Sequence, residues 1–197
     1  LSRTPASAGN TKTHTLSIWL KLSTLTSDRG LIGARNGSTF REVLYFTNSD
    51  KLQFYTNVNG TIRQITTDAV YRDVSSWYHV VLAIDTTQST ETNRAKIYVN
   101  GEQQSVTGSY PNQDAGLQIN NSVANYLGAF DTGTAFFDGY MAEVNLIDGQ
   151  ALDPTYFGEF KNGVWIAKRY TGSYGTNGFR LQFNQTGTGS ASSSTIG

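Results

Sequence analysis

The sequence predicts an all-β protein folded as a two-sheet antiparallel jelly-roll sandwich. Residues 77–85, Trp-Tyr-His-Val-Val-Leu-Ala-Ile-Asp, are apolar on both alternating faces, the pattern of a central strand buried on both sides. Residues 95–101 behave differently: Ala95, Ile97 and Val99 alternate with Lys96 and Tyr98, and the run stops at an Asn-Gly turn. Seven Asn-Gly or Asp-Gly dipeptides, starting at Asn36, Asn59, Asn100, Asp138, Asp148, Asn162 and Asn177, mostly separate segments of this alternating kind, which is hairpin punctuation. Helical periodicity is nearly absent. Two sheets with no helices to cover them must bury their apolar faces on each other, giving a core about 10 Å thick.

The elements follow in order. Residues 15–22 place Leu16, Ile18, Leu20 and Leu22 on one face and Ser17, Trp19 and Lys21 on the other. Strands are expected at 29–34, 43–48, 52–57 and 62–66. The 77–85 strand comes next, with Val80, Leu82 and Ile84 toward the inter-sheet core, and is followed by strands at 95–99, 126–130 and 140–147. One short helix is expected over 152–157, where Asp153 can cap and Pro154 suits the first helical position. The last strand is 179–183, with Phe179, Leu181 and Phe183 on one face. Residues 1–185 read as one domain, of which 154–185 is an aromatic-rich extension. Trp165, Tyr170, Tyr174 and Phe179 carry more apolar surface than water should face, so the extension is expected to pack on the flank of its own sandwich, a neighbouring subunit being the alternative. Residues 186–197 are a Ser/Thr/Gly tract read as a linker or the end of an excerpt.

Composition excludes several classes of function. Only 15% of the 197 residues are charged, 15 basic against 15 acidic, so no net field draws the chain to nucleic acid or an anionic membrane. The absence of cysteine removes disulfides, thiolate metal sites and thiol nucleophiles. No apolar run approaches the roughly 20 residues of a membrane span, so no membrane insertion is expected. A chain that starts at Leu1 is expected to be part of a longer soluble protein.

Trp77-Tyr78-His79-Val80, a polar loop and then Tyr98-Val99-Asn100-Gly101 resemble the laminin-G-like members of the concanavalin A-like lectin and glucanase superfamily. Residues 137–152, Phe-Asp-Gly-Tyr-Met-Ala-Glu-Val-Asn-Leu-Ile-Asp-Gly-Gln-Ala-Leu, look like the closing strand of that fold. Residues 1–10 and the run from Leu146 through Phe179 are similar to structural proteins of tailed bacteriophages, notably of marine and cyanobacterial hosts. That resemblance implies a non-enzymatic virion appendage or tail-fibre-like module. It would sit at the particle surface, act outside the cell, bind host-surface glycan for adhesion and work as a homo-oligomer within a larger chain among other virion subunits. The alternative is a structural or decoration module acting through protein contacts without a ligand.

Candidate chemistry is sparse. The superfamily's glucanases carry three acids on one strand, and here the corresponding run is Glu143, Asn145 and Asp148; an amide stands where an ionisable helper belongs, so no catalytic residues are assigned. His14 and His79 are the only histidines and are read as structural. The resemblance implies calcium at the sandwich rim, for which Asp131 and Asp114 are the candidate ligands, since hard oxygen donors from separate loops suit that ion. For glycan, the loops 109–125 and 131–138 supply aromatic faces and amides in Tyr110, Asn112, Gln113, Asn120, Asn121, Asn125 and Phe136.

Overall fold

In the computed structural model, which describes residues 1–131 and 134–183, alternating sequence becomes strand almost throughout. The strands are β1 (Ser2–Arg3), β2 (Thr13–Leu22), β3 (Arg29–Asn36), β4 (Phe40–Phe46), β5 (Leu52–Val58), β6 (Thr61–Thr67), β7 (Tyr78–Asp85), β8 (Ala95–Val99), β9 (Glu102–Gln103), β10 (Val106–Gly108), β11 (Asn125–Leu127), β12 (Gly139–Asp148), β13 (Gly158–Lys161), β14 (Val164–Ala167) and β15 (Phe179–Leu181). A seven-stranded sheet runs β1-β11-β3-β4-β5-β6-β10, a six-stranded sheet runs β15-β12-β2-β7-β8-β9, and β13-β14 form a separate ribbon. Every pairing is antiparallel. Among the described residues no helix is long and apolar enough to cross a membrane.

Three of the Asn-Gly pairs make two-residue hairpins. Asn59-Gly60, Asn100-Gly101 and Asn162-Gly163 all have positive φ at both positions, the conformation that matches the twist of the flanking strands and that Asn and Gly tolerate best. Asn177-Gly178 makes no such turn. The Asn177 amide is instead held by the Asp148 carboxylate at 3.0 Å.

The main core lies between the two large sheets. Leu16, Ile18, Leu20 and Leu22 from β2 and Val80, Leu82 and Ile84 from β7 meet Leu44, Phe46, Leu52, Phe54 and Ile65 from the facing sheet. Fully burying each such side chain contributes about 1.5–3 kcal/mol. The apolar residues on the other face of β7 are buried as well. Val81 packs with Ile147, Phe157 and Tyr170 in a second cluster on the outer side of the six-stranded sheet, and the β13-β14 ribbon closes over the same side. The His79 ring stacks on Trp19 (centroids 4.9 Å apart) and on Trp165 (6.0 Å). Trp165 Nε1 donates to His79 Nδ1 at 2.9 Å, leaving the ring's proton on Nε2, 2.9 Å from Ser17 Oγ. The aromatic extension thus covers one outer face of its own sandwich.

Departures from expectation have local causes. The strand expected at 126–130 ends at Leu127 because Gly128 turns away with φ +75°. That expected at 179–183 ends at Leu181, two residues before Phe183, whose φ is 55°. The expected helix is a single 3-10 turn, Pro154–Tyr156, with Asp153 Oδ1 accepting from the Thr155 amide at 2.8 Å. β1, β9 and β10, two or three residues each, are too short to show alternation. Residues 186–197, the expected linker, lie outside the described residues.

Candidate functional site

Because Leu44, Phe46, Leu52, Phe54 and Ile65 point inward, their neighbours in sequence form the outer face of the seven-stranded sheet. In register, Tyr126, Gly33, Val43, Tyr55 and Gln64 cross five strands in one row. Arg35, Arg41, Asn57 and Ile62 form the row on one side, and Tyr45, Gln53, Thr66 and Thr107 the row on the other. Tyrosine rings with flanking amides and guanidinium groups are the equipment for sugar, since the ring stacks on C–H faces while the polar groups read hydroxyls. The Asn57 Oδ1 is buried with no protein partner among the described residues.

Residues 128–131 and 134–137 form a wall on this face. Gly128 donates to the Leu31 carbonyl at 2.8 Å and Gly30 to the Ala135 carbonyl at 2.7 Å, which lays the loop on β3. Glycine permits the approach: a Cβ at position 30 would come within 2.3 Å of the Ala129 backbone, and one at 33 within 2.7 Å of the Asp131 nitrogen. Phe130 then meets Tyr45 edge-on, centroids 4.7 Å apart, and burial pushes the Tyr45 hydroxyl up to a pKa of about 12. Asp131 grips Arg41 through Nε and through Nη2 at 3.0 Å, a hydrogen-bonded pair that raises the Arg41 pKa further. The Arg41 guanidinium lies 5.9 Å from the Tyr55 ring centroid.

The loop residues expected to bind glycan are dispersed. Tyr110 is half-buried against the main core. Asn112 is exposed and accepts from Arg63 Nε at 3.2 Å, and Gln113 donates to the Thr87 carbonyl at 3.4 Å. Asn120 is 1% exposed, and its carbonyl takes the Gly9 amide at 2.8 Å and Asn177 Nδ2 at 3.1 Å, so it joins segments inside the fold. Asn121 turns back on Gln118 at 3.5 Å and Asn125, within β11, on the Val123 carbonyl at 2.8 Å. Phe136 is 68% exposed on the wall loop, whereas Phe137 packs on the main core. The first loop is drawn inward by Glu42, whose buried carboxylate accepts the Gln118 and Ile119 amides at 2.8 and 2.6 Å and lies 2.8 Å from His14 Nε2.

Neither calcium candidate presents a free carboxylate. Asp131 is bound to Arg41 and Asp114 to Lys12 at 3.0 Å, and among the described residues no three His, Cys, Asp or Glu side chains gather as a metal group. Calcium asks for six to eight oxygens, so this donor set does not fit it. The glucanase-like acids are occupied as well. A bulge between Ala142 and Asn145 puts Glu143 at φ 48°, where Arg180 binds its carboxylate bidentately at 2.7–3.0 Å. Asn145 accepts from the Tyr174 hydroxyl at 3.0 Å, and Asp148 accepts the Asn10 and Asn177 amides at 2.8 and 3.0 Å.

Residues 2–155 match the laminin G-type family model described as the concanavalin A-like lectin/glucanases superfamily. The chain belongs to that superfamily. The CBM40 of the Ruminococcus gnavus IT-sialidase superposes with a TM-score of 0.56 at 18% identity, over 79% of this chain and 95% of that one. Domain 4 of AbnA, a GH43 extracellular arabinanase from Geobacillus stearothermophilus solved with arabinotriose, gives 0.57 at 16% identity, over 76% and 66%. Domains LG4-5 of the mouse laminin alpha1 chain give 0.55 at 10% identity, over 86% and 42%. At such identities the likeness to these superfamily members establishes the fold. No curated protein sequence matches the chain.

Sequence reading missed Arg41, Tyr45, Gln53, Tyr55, Asn57 and Gln64. Their segments were legible as strands, and the alternation of Gln53, Tyr55 and Asn57 against Leu52, Phe54 and Thr56 was the available signal.

Proposed function

We propose that this is a non-catalytic glycan-binding module whose ligand lies across Tyr45 and Tyr55 on the outer face of the seven-stranded sheet. One observation carries the reading: the chain covers the outer face of its six-stranded sheet with its own extension, while the other outer face keeps its tyrosine, amide and guanidinium rows, walled by residues 128–131 and 134–137. Superfamily membership and the carbohydrate-binding neighbours support it. The sequence resemblance of residues 1–10 and 146–179 to phage structural proteins extends the proposal to a virion appendage that recognises a host-surface glycan. A single shallow site of this kind binds in the millimolar range, about 4 kcal/mol, so adhesion requires several copies acting together.

A multivalent display of the protein on a glycan array tests the reading, with binding expected and with Tyr55→Ala abolishing it. A second reading, a structural virion module, is favoured by Phe160 and Val164, each 61% exposed on the β13-β14 ribbon. No glycan binding by the multivalent form, together with loss of assembly on Phe160→Ser, would establish that reading instead.

A further inference from the structure

Where the extension meets the edge of the six-stranded sheet, a groove of about 400 Å³ is lined by Arg169, Tyr170, Tyr174, Phe179, Arg180 and Gln182. All six residues lie beyond the segment that matches the superfamily, residues 2–155. We infer that this groove is a second saccharide site, selective for an anionic saccharide, independent of the sheet-face site.

The aromatic walls are fixed before any ligand arrives. Tyr170 and Tyr174 meet edge to face with centroids 5.2 Å apart. The Tyr174 hydroxyl donates to Asn145 Oδ1 at 3.0 Å and the Tyr170 hydroxyl to the Ser173 carbonyl at 3.0 Å. Arg180 is oriented by Glu143, which takes its Nε and Nη2, and among the described residues Nη1 makes no hydrogen bond. Arg169 is exposed and forms no ion pair with the described residues. Thr132, Gly133 and residues 184–197 contain neither Asp nor Glu.

Two guanidinium groups against one carboxylate leave the groove positive in a chain whose formal net charge is zero. Both cations act on the same phenol. Arg169 and Arg180 line the groove with Tyr174, whose pKa is raised by burial while the two guanidinium groups oppose that rise. A pyranose face stacked on a tyrosine, with its carboxylate or sulfate on a guanidinium fork, satisfies both features at once. The volume suits one or two sugar rings.

The test uses the full chain and three trisaccharides: a galacturonate trimer, a sulfated galactose trimer and a neutral galactose trimer, titrated by calorimetry and by arginine side-chain NMR. An anionic trimer is expected to bind, weaken with salt and shift the Arg169 signal, while the neutral one leaves that signal in place. If only one anionic trimer binds, it names the group recognised, carboxylate or sulfate. Arg169→Ala is expected to lower the affinity about tenfold with an unchanged thermal midpoint, and Arg169→Lys to restore only part of it. Tyr55→Ala is expected to leave anionic binding intact, which separates this site from the sheet face. Equal affinity in wild type and Arg169→Ala, equal affinity for anionic and neutral trimers, or no binding of either anionic trimer at millimolar concentration would overturn the inference.

Discussion

Protonating His79 should pry the extension from the sandwich, and the size of the effect follows from its surroundings. The ring has no solvent-exposed surface and lies between two indoles, so desolvation lowers its pKa from 6.5 to about 3. Nδ1 accepts from Trp165 and Nε2 donates to Ser17, so a second proton would have to displace the Trp165 N–H. Above the unfolded pKa of 6.5 both states are neutral at this site and the stabilisation is fully present. As pH falls, the unfolded chain takes up a proton that the folded chain refuses until about pH 3. Stability is therefore lost at about 1.4 kcal/mol per pH unit, approaching about 5 kcal/mol at the acid end. Urea denaturation of wild type and His79→Gln at steps between about pH 7 and 4 measures it. The variant should be less stable near neutrality by about 1–3 kcal/mol, through lost hydrogen bonds and packing, and the gap should narrow steadily below pH 6.5. Parallel curves for the two proteins, or an NMR titration placing His79 near its ordinary pKa, would refute the reasoning.

Leu82→Ala should cost about 2–4 kcal/mol, because Leu82 is fully buried in the main core on the central strand; an unfolding midpoint that barely moves would undo the placement of that strand. Incubation with β-glucans and host polysaccharides should release no reducing ends, since Glu143 is held by Arg180 and its partner position is Asn145; release that Glu143→Gln abolishes would make the protein an enzyme. Thermal scans in millimolar calcium and in chelator should coincide, because Arg41 and Lys12 hold the two candidate carboxylates, and a rise of several degrees with calcium would show that the ion displaces them.

What sequence alone could show depended on the range of each interaction. The 77–85 strand was legible because burial on both faces writes an unbroken apolar run, and the turn at Asn100-Gly101 because positive φ at consecutive positions selects those residues. The β13-β14 ribbon left its mark in Asn162-Gly163, but its strands, with Glu159, Lys161 and exposed Phe160 and Val164, carry no clean alternation. The site was harder. Alternation says that Gln53, Tyr55 and Asn57 face away from the core, yet not which outer face the chain covers with its own extension. That is decided by Trp165 reaching His79 across 86 positions. Likewise an isolated Asp131 reads as a metal ligand until Arg41, 90 positions away, is seen to hold it.

The double burial of β7 separates two boundaries that are easily equated. The match to the superfamily stops at residue 155, but Val81 and Ile147 pack with Phe157 and Tyr170, and His79 stacks on Trp165, all of which follow it. A fragment cut at the homology limit would present an apolar, aromatic strip along the middle of a sheet, the kind of surface that recruits other chains in solution. The packed unit of this protein is therefore larger than the segment that matches its superfamily, and residues 156–181 serve the six-stranded sheet as a built-in partner.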